Sequence, residues 1–155
     1  MKKLILYTPI ILFLVTSCAS FHPKGFIDPA FQEYVNQYTL DKYTYTQRGL
    51  DDTISMFFGP HVMVDDTTIK NGHCSNTSFV LDSYIKRVVI INETQWYRYS
   101  ETQRLKLIYH ELAHCDLSMR HNDYEISLLN TYTNSLINKD NFSYYVERLF
   151  ISWIN

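Results

Sequence analysis

Glycine and proline are scarce, four of each in 155 residues. That excludes collagen-like, linker-like and low-complexity architectures. An excess of charge of one sign is missing too: 14 Lys and Arg stand against 16 Asp and Glu, a net charge of −2 with His neutral. So balanced a chain has no basic surface with which to track a phosphate backbone, and no nucleic-acid partner is expected. Long apolar runs are also absent. The longest, Leu4–Val15 (LILYTPIILFLV), has twelve residues, short of the roughly 20 that a membrane-spanning helix needs. The chain does not lack core material, since 46% of residues are hydrophobic and 15% aromatic, with 13 Tyr and 9 Phe. Wholesale disorder is therefore excluded, and the length suits one domain.

The N-terminus has the form of an export leader: Lys2 and Lys3, the apolar run, then Val15-Thr16-Ser17-Cys18. An aliphatic residue and two small residues before a cysteine resemble the bacterial lipobox. This predicts a signal peptide at 1–17, acylation of Cys18, a lipid-anchored tether at 18–26 and a folded domain at 27–155. Several acyl chains anchor stably where one is marginal. Ala19 follows the cysteine, with no Asp there, which by resemblance to sorting in Gram-negative bacteria points to the outer membrane. Without the leader, which holds two lysines and no acid, the net charge becomes −4. Two cysteines then remain, Cys74 and Cys115. An oxidising compartment favours a disulfide between them over two buried thiols.

Asp28 is placed to cap a first helix, with Pro29 at its first position and Phe31, Tyr34, Val35 and Tyr38 on one face. Thr39–Asp52 is polar and reads as a loop. Thr53–Phe58 predicts a strand stopped by Gly59-Pro60, His61–Val64 a short second strand, and Asp65–Ser78 a loop. The β-branched run Arg87–Ile91 predicts a strand inside a sheet. Ser100-Glu101-Thr102-Gln103 has the form of a capping box, starting a helix over 101–117 with Leu105, Ile108, Leu112 and Cys115 on one side. Asp140 or Asn141 is placed to cap a last helix, whose Phe142, Tyr145, Val146, Leu149, Phe150 and Trp153 recur at core-facing spacing.

Inside the 101–117 helix lies His110-Glu111-Leu112-Ala113-His114, the pattern H-E-x-x-H. Residues four apart on a helix share a face, so two imidazoles at this spacing can hold one Zn²⁺. The intervening Glu is then beside the metal, placed to take a proton from water. A tetrahedral catalytic site needs a third protein ligand. His121, just past the helix end, is the leading candidate, with Asp116, Asp123, Glu125 and Glu147 as alternatives. Cys115 as a fourth ligand would close the site, but it points about 100° away from His114 around the helix. His61 and His73 read as ordinary loop histidines.

This segment resembles the zincin metallopeptidases, on the metzincin side, which carry H-E-x-x-H-x-x-G-x-x-H and a methionine turn below the metal. The third His here comes one residue later, and the residues after His114 (CDLSMR) contain no Gly. Closer still is a group of small bacterial metallopeptidases, often lipoproteins, with a segment like HELGHC-x-L-x-R-x-H. His110–His121 reads HELAHCDLSMRH. Ile27-Asp28-Pro29, Phe58-Gly59, Gly72-His73-Cys74, the RVVII strand, Trp96 and Tyr145–Phe150 (YVERLF) sit where that group has similar features, so the resemblance covers most of the chain past the leader. Ser127-Leu128-Leu129 stands where the group has Ser-(Ile/Leu)-Met; Leu fills a similar apolar volume. A tyrosine past the methionine turn stabilises the oxyanion in some metzincins, which makes Tyr132 a candidate.

The resulting expectation is an α+β, zincin-like single domain, with a small β-sheet packed on the H-E-x-x-H helix and flanking N- and C-terminal helices. Its expected function is zinc-dependent hydrolysis of peptide bonds in the bacterial cell envelope. Zn²⁺ sits on His110, His114 and His121, Glu111 is the catalytic base, and a peptide or protein is the substrate. The alternative is a catalytically inactive envelope lipoprotein, with or without zinc, acting as a binding module.

Overall fold

The computed structural model describes residues 25–59, 62–63, 69–78, 85–122, 124–130 and 136–155. The expected signal peptide, Cys18 and most of the tether lie outside these residues, as do His61, Asp123 and Tyr132. Gly25 and Phe26, expected to belong to the tether, are docked. Gly25 N–H donates to Asp52 O (2.6 Å), Met56 N–H to Phe26 O (2.7 Å) and Asp28 N–H to Met56 O (2.9 Å). Ile27 forms a parallel bridge with Met56. The described residues therefore begin on the sheet, two residues before the expected boundary.

The first helix opens with a 3-10 turn, Pro29–Phe31, capped by Asp28, whose Oδ1 accepts from Ala30 N–H at 2.9 Å. It continues as α1 (Gln32–Thr46). The loop expected from Thr39 onward is thus helical to Thr46. Burial overrides the polar sequence: Lys42 extends the inward stripe of Phe31, Val35 and Tyr38 and is itself buried. Thr39, Thr44 and Thr46 donate their hydroxyls to carbonyls four residues back, so these side chains are satisfied without breaking the helix. The helix ends at Gln47, in the left-handed region with φ 58°.

Three strands form a mixed sheet in the order β1-β5-β4, from β1 (Ser55–Gly59), β4 (Gly72–Ser78) and β5 (Ile85–Asn92). A separate two-stranded antiparallel pair joins β2 (Val62–Met63) to β3 (Ile69–Lys70). The apolar run in β5 takes the centre, parallel to β1 and antiparallel to β4, with Val89 and Ile91 fully buried. The expectation of a loop over 65–78 fails at β3 and β4. The sequence of β4, GHCSNTS, has little strand propensity, but an edge strand needs only one buried face, and that propensity depends on context. Cys74 supplies the anchor on that face through a disulfide to Cys115, with Cα atoms 5.5 Å apart.

Among the described residues three α-helices follow the sheet: the short helix α2 (Glu93–Trp96), the motif helix α3 (Glu101–Cys115) and the last helix α4 (Phe142–Ile154). The capping box of α3 is formed. Gln103 N–H donates to Ser100 Oγ at 3.4 Å, and Ser100 N–H to Gln103 Oε1 at 2.9 Å. The face of Ile108, Leu112 and Cys115 is completely buried and lies over β4 and β5. Asn141 precedes α4 without capping it, because its Oδ1 accepts from Asn138 N–H instead (2.8 Å). Helix packing is largely aromatic: Tyr38 meets Tyr109 and Phe150, and Tyr109 meets Phe142, with ring centroids 5.2–5.4 Å apart. The result is an α+β fold. Among the described residues no helix is long and apolar enough to cross a membrane.

Candidate metal centre

His110 and His114 stand one turn apart on α3, half-buried at its C-terminal end. His110 Nδ1 lies 2.7 Å from Leu128 O, and His114 Nδ1 lies 2.7 Å from Met119 O. A carbonyl only accepts, so both Nδ1 atoms donate, and the Nε2 atom of each neutral ring presents a lone pair. These lone pairs point inward. His110 Nε2 is 3.1 Å from His114 Nε2 and 3.1 Å from His121 Nε2. One ligand atom from each of the three rings falls within 4.8 Å of the others.

Lone pairs that close repel unless a positive charge lies between them. A proton satisfies two at most, whereas a metal ion satisfies three. Nitrogens about 2.0–2.1 Å from a tetrahedral Zn²⁺ stand about 3.3 Å from one another, close to the spacing here. The backbone carbonyls that fix the outer nitrogens are the usual supports of metal-binding histidines. The donor set therefore fits a metal ion.

His121 reaches the cluster by a tight bend after α3. Asp116 N–H closes the helix on Leu112 O, and Met119 N–H returns to Ala113 O. Between them Ser118 adopts φ 56°, the left-handed conformation that favours glycine. The bend that brings His121 back is thus made by a serine rather than a glycine. We expect Ser118→Gly to raise unfolding stability by up to about 1 kcal/mol. Urea denaturation checks this, and a loss of stability would show that the serine side chain contributes more than its backbone costs.

The loop beyond His121 folds under the cluster. Asn122 N–H donates to Leu129 O, and Asn130, almost fully buried, donates its Nδ2 to Glu125 O at 2.8 Å. Leu128 and Leu129 are buried here, and Leu128 also supplies the carbonyl for His110. That carbonyl, like that of Met119, has no signature in side-chain sequence.

The other proposed ligands are elsewhere. Cys115 is in the disulfide. Asp116 is turned into the core, where its Oδ2 accepts from Lys42 Nζ (2.7 Å) and Tyr38 OH (3.0 Å). Burial, then the Asp116 carboxylate, holds the Tyr38 phenol well above its ordinary pKa, so it remains a donor. Glu125 pairs with Arg148 at the surface, 3.1 Å away. Glu147 is exposed on α4, where its charge acts on Tyr45. Glu111 faces β4, only 5% exposed, with Gly72 directly against it. A cleft of about 580 Å³ between α1, α3 and α4, lined by Tyr34, Asp41, Tyr45, Arg104 and Phe142 among others, contains none of the three histidines.

No family model, curated protein or solved structure matches this chain.

Proposed function

We propose that this protein is a zinc-dependent, zincin-like metallopeptidase that hydrolyses peptide bonds in the bacterial cell envelope, tethered to the membrane by a lipid on Cys18. One observation carries the reading: His110 Nε2 stands 3.1 Å from the Nε2 atoms of both His114 and His121, and the residue that follows His110 on the same helix is a buried glutamate. A purely structural zinc site needs four protein ligands, whereas the metal-binding group among the described residues has three histidines. Three protein ligands with a fourth position for water or substrate is the pattern of catalytic zinc, which supports an enzyme over a binding module.

His110, His114 and His121 would hold the ion. When bound, it supplies Lewis-acid polarisation of a scissile carbonyl and lowers the pKa of water in its open position to about 7. Glu111 accepts the proton of the attacking water on its carboxylate and returns it to the leaving amine. The Nδ1–H bonds of His110 and His114 keep both rings in the tautomer this requires.

The test is metal analysis of the full-length protein, purified in detergent without a metal-affinity tag. About one zinc per chain is expected, falling close to zero in His114→Ala. Folded protein that takes up no zinc from an excess at neutral pH would overturn the reading.

A further inference from the structure

Gly72 opens β4, paired with Ile91 of β5. A Cβ at this position would lie 2.7 Å from Glu111 Oε1, 2.8 Å from its Cγ and 2.9 Å from its Cδ. All three nearest atoms belong to that one side chain. Among the described residues no glycine has positive φ, so the backbone at Gly72 adopts a conformation open to any residue. Glycine in a strand weakens it and often marks a close approach. Here the approach is Glu111, and space is what the glycine provides.

The disulfide continues this arrangement. Cys74 follows Gly72 by two residues on the same face of β4, and Cys115 follows Glu111 by four on the same face of α3. Two residues of strand advance about 6.8 Å and four of helix about 6 Å, so the pairs Gly72/Glu111 and Cys74/Cys115 stand side by side across one contact. The covalent pair holds strand to helix next to the glutamate.

We propose that Gly72 is a positioning residue for Glu111: the missing side chain on β4 forms the seat of the carboxylate, and the Cys74–Cys115 bridge keeps that seat against α3. The assignment rests on Glu111 as the proton-transfer group of the proposed peptidase, but it concerns where the carboxylate lies and can be tested without turnover.

The experiment is Gly72→Ala in the full-length protein, with metal content, a crystal structure of the metal-loaded variant, and hydrolysis of a quenched-fluorescence peptide library. The expected result is unchanged metal content and histidine positions, a Glu111 carboxylate displaced by about 1 Å or more, and a kcat reduced at least about 100-fold with KM nearly unchanged. A carboxylate still in its original place, or activity within threefold of the parent, overturns the proposal. If the parent cleaves no peptide, the peptidase reading fails, and the carboxylate position still decides the seat. If Gly72→Ala does not fold, the double variant Gly72→Ala/Glu111→Ala decides. Recovered folding supports the proposal, because removing Glu111 removes the clash; continued failure overturns it.

Discussion

Glu111→Gln is expected to leave zinc stoichiometry unchanged and to reduce peptide hydrolysis by about 10²–10⁴-fold, the range that a positioned general base contributes. Gln keeps the shape of Glu and its fit against Gly72, but its amide accepts no proton at neutral pH. Two of the three imidazoles stand on their own supports: the carbonyls of Leu128 and Met119 hold His110 and His114 whatever occupies position 111. Metal content and kcat/KM measured on the same preparation separate the two effects. Loss of zinc in the variant would mean that Glu111 helps hold the ion. Full activity, with contaminating protease excluded, would remove it from the chemistry.

The largest effect expected on stability lies behind the cluster. Lys42→Met is expected to cost about 3–5 kcal/mol, the usual penalty for leaving a buried charge unpaired. Lys42 Nζ is 2.7 Å from Asp116 Oδ2, and the two side chains are 5% and 1% exposed. Tyr38 OH and the Asp51 amide also donate to this carboxylate, so three donors from two segments, α1 and the loop before β1, meet on one residue directly after the motif helix. Without the lysine, only neutral donors would compensate the charge. The surface pair Arg148–Glu125, with side chains 53% and 58% exposed, is the control; breaking it should cost under about 1 kcal/mol. Urea unfolding compares the two. A cost below about 1 kcal/mol for Lys42→Met would show that water or another cation reaches Asp116.

Asp51 adds a pH dependence on the same side. Burial pushes its carboxyl upward, but hydrogen bonds from the Thr53 amide and hydroxyl, with the charges of Arg87 and Lys42, outweigh this and hold it below its ordinary value. A folded pKa below the unfolded one stabilises at neutral pH, and that contribution is lost as pH falls through the folded value.

Where the sequence has a strong local rule, structure and expectation agree. The capping box of α3 is one such case, since its two hydrogen bonds involve neighbours in sequence. The β-branched run of β5 is another, and so is the helical stripe of α4. The spacing His110, His114 and His121 anticipated a cluster because two of its members share a helix face. The failures have a common cause: partners distant in sequence. Lys42 looks like a solvent-facing residue until Asp116 is beside it, so the second half of α1 reads as loop. The strand β4 has no apolar alternation, because what fixes it is Cys115 and the partner strand β5. Gly72 falls in a segment read as loop, while its neighbour in space lies 39 residues further along. Ser118 carries no sequence sign of positive φ.

The strand order has a consequence for how the molecule is made. β5 pairs with both β1 and β4, yet it is synthesised after them, and β1 and β4 do not pair with each other. A growing chain that has emerged only as far as Ser78 therefore carries two strands awaiting their common partner, and neither ladder of the three-stranded sheet can form until Ile85–Asn92 appears. Residues paired late and at long range slow assembly and leave strand edges open to the wrong neighbour. The histidines come later still, so the ligands are brought together only by a chain whose sheet is already complete, and a polypeptide interrupted partway has neither scaffold nor ligands.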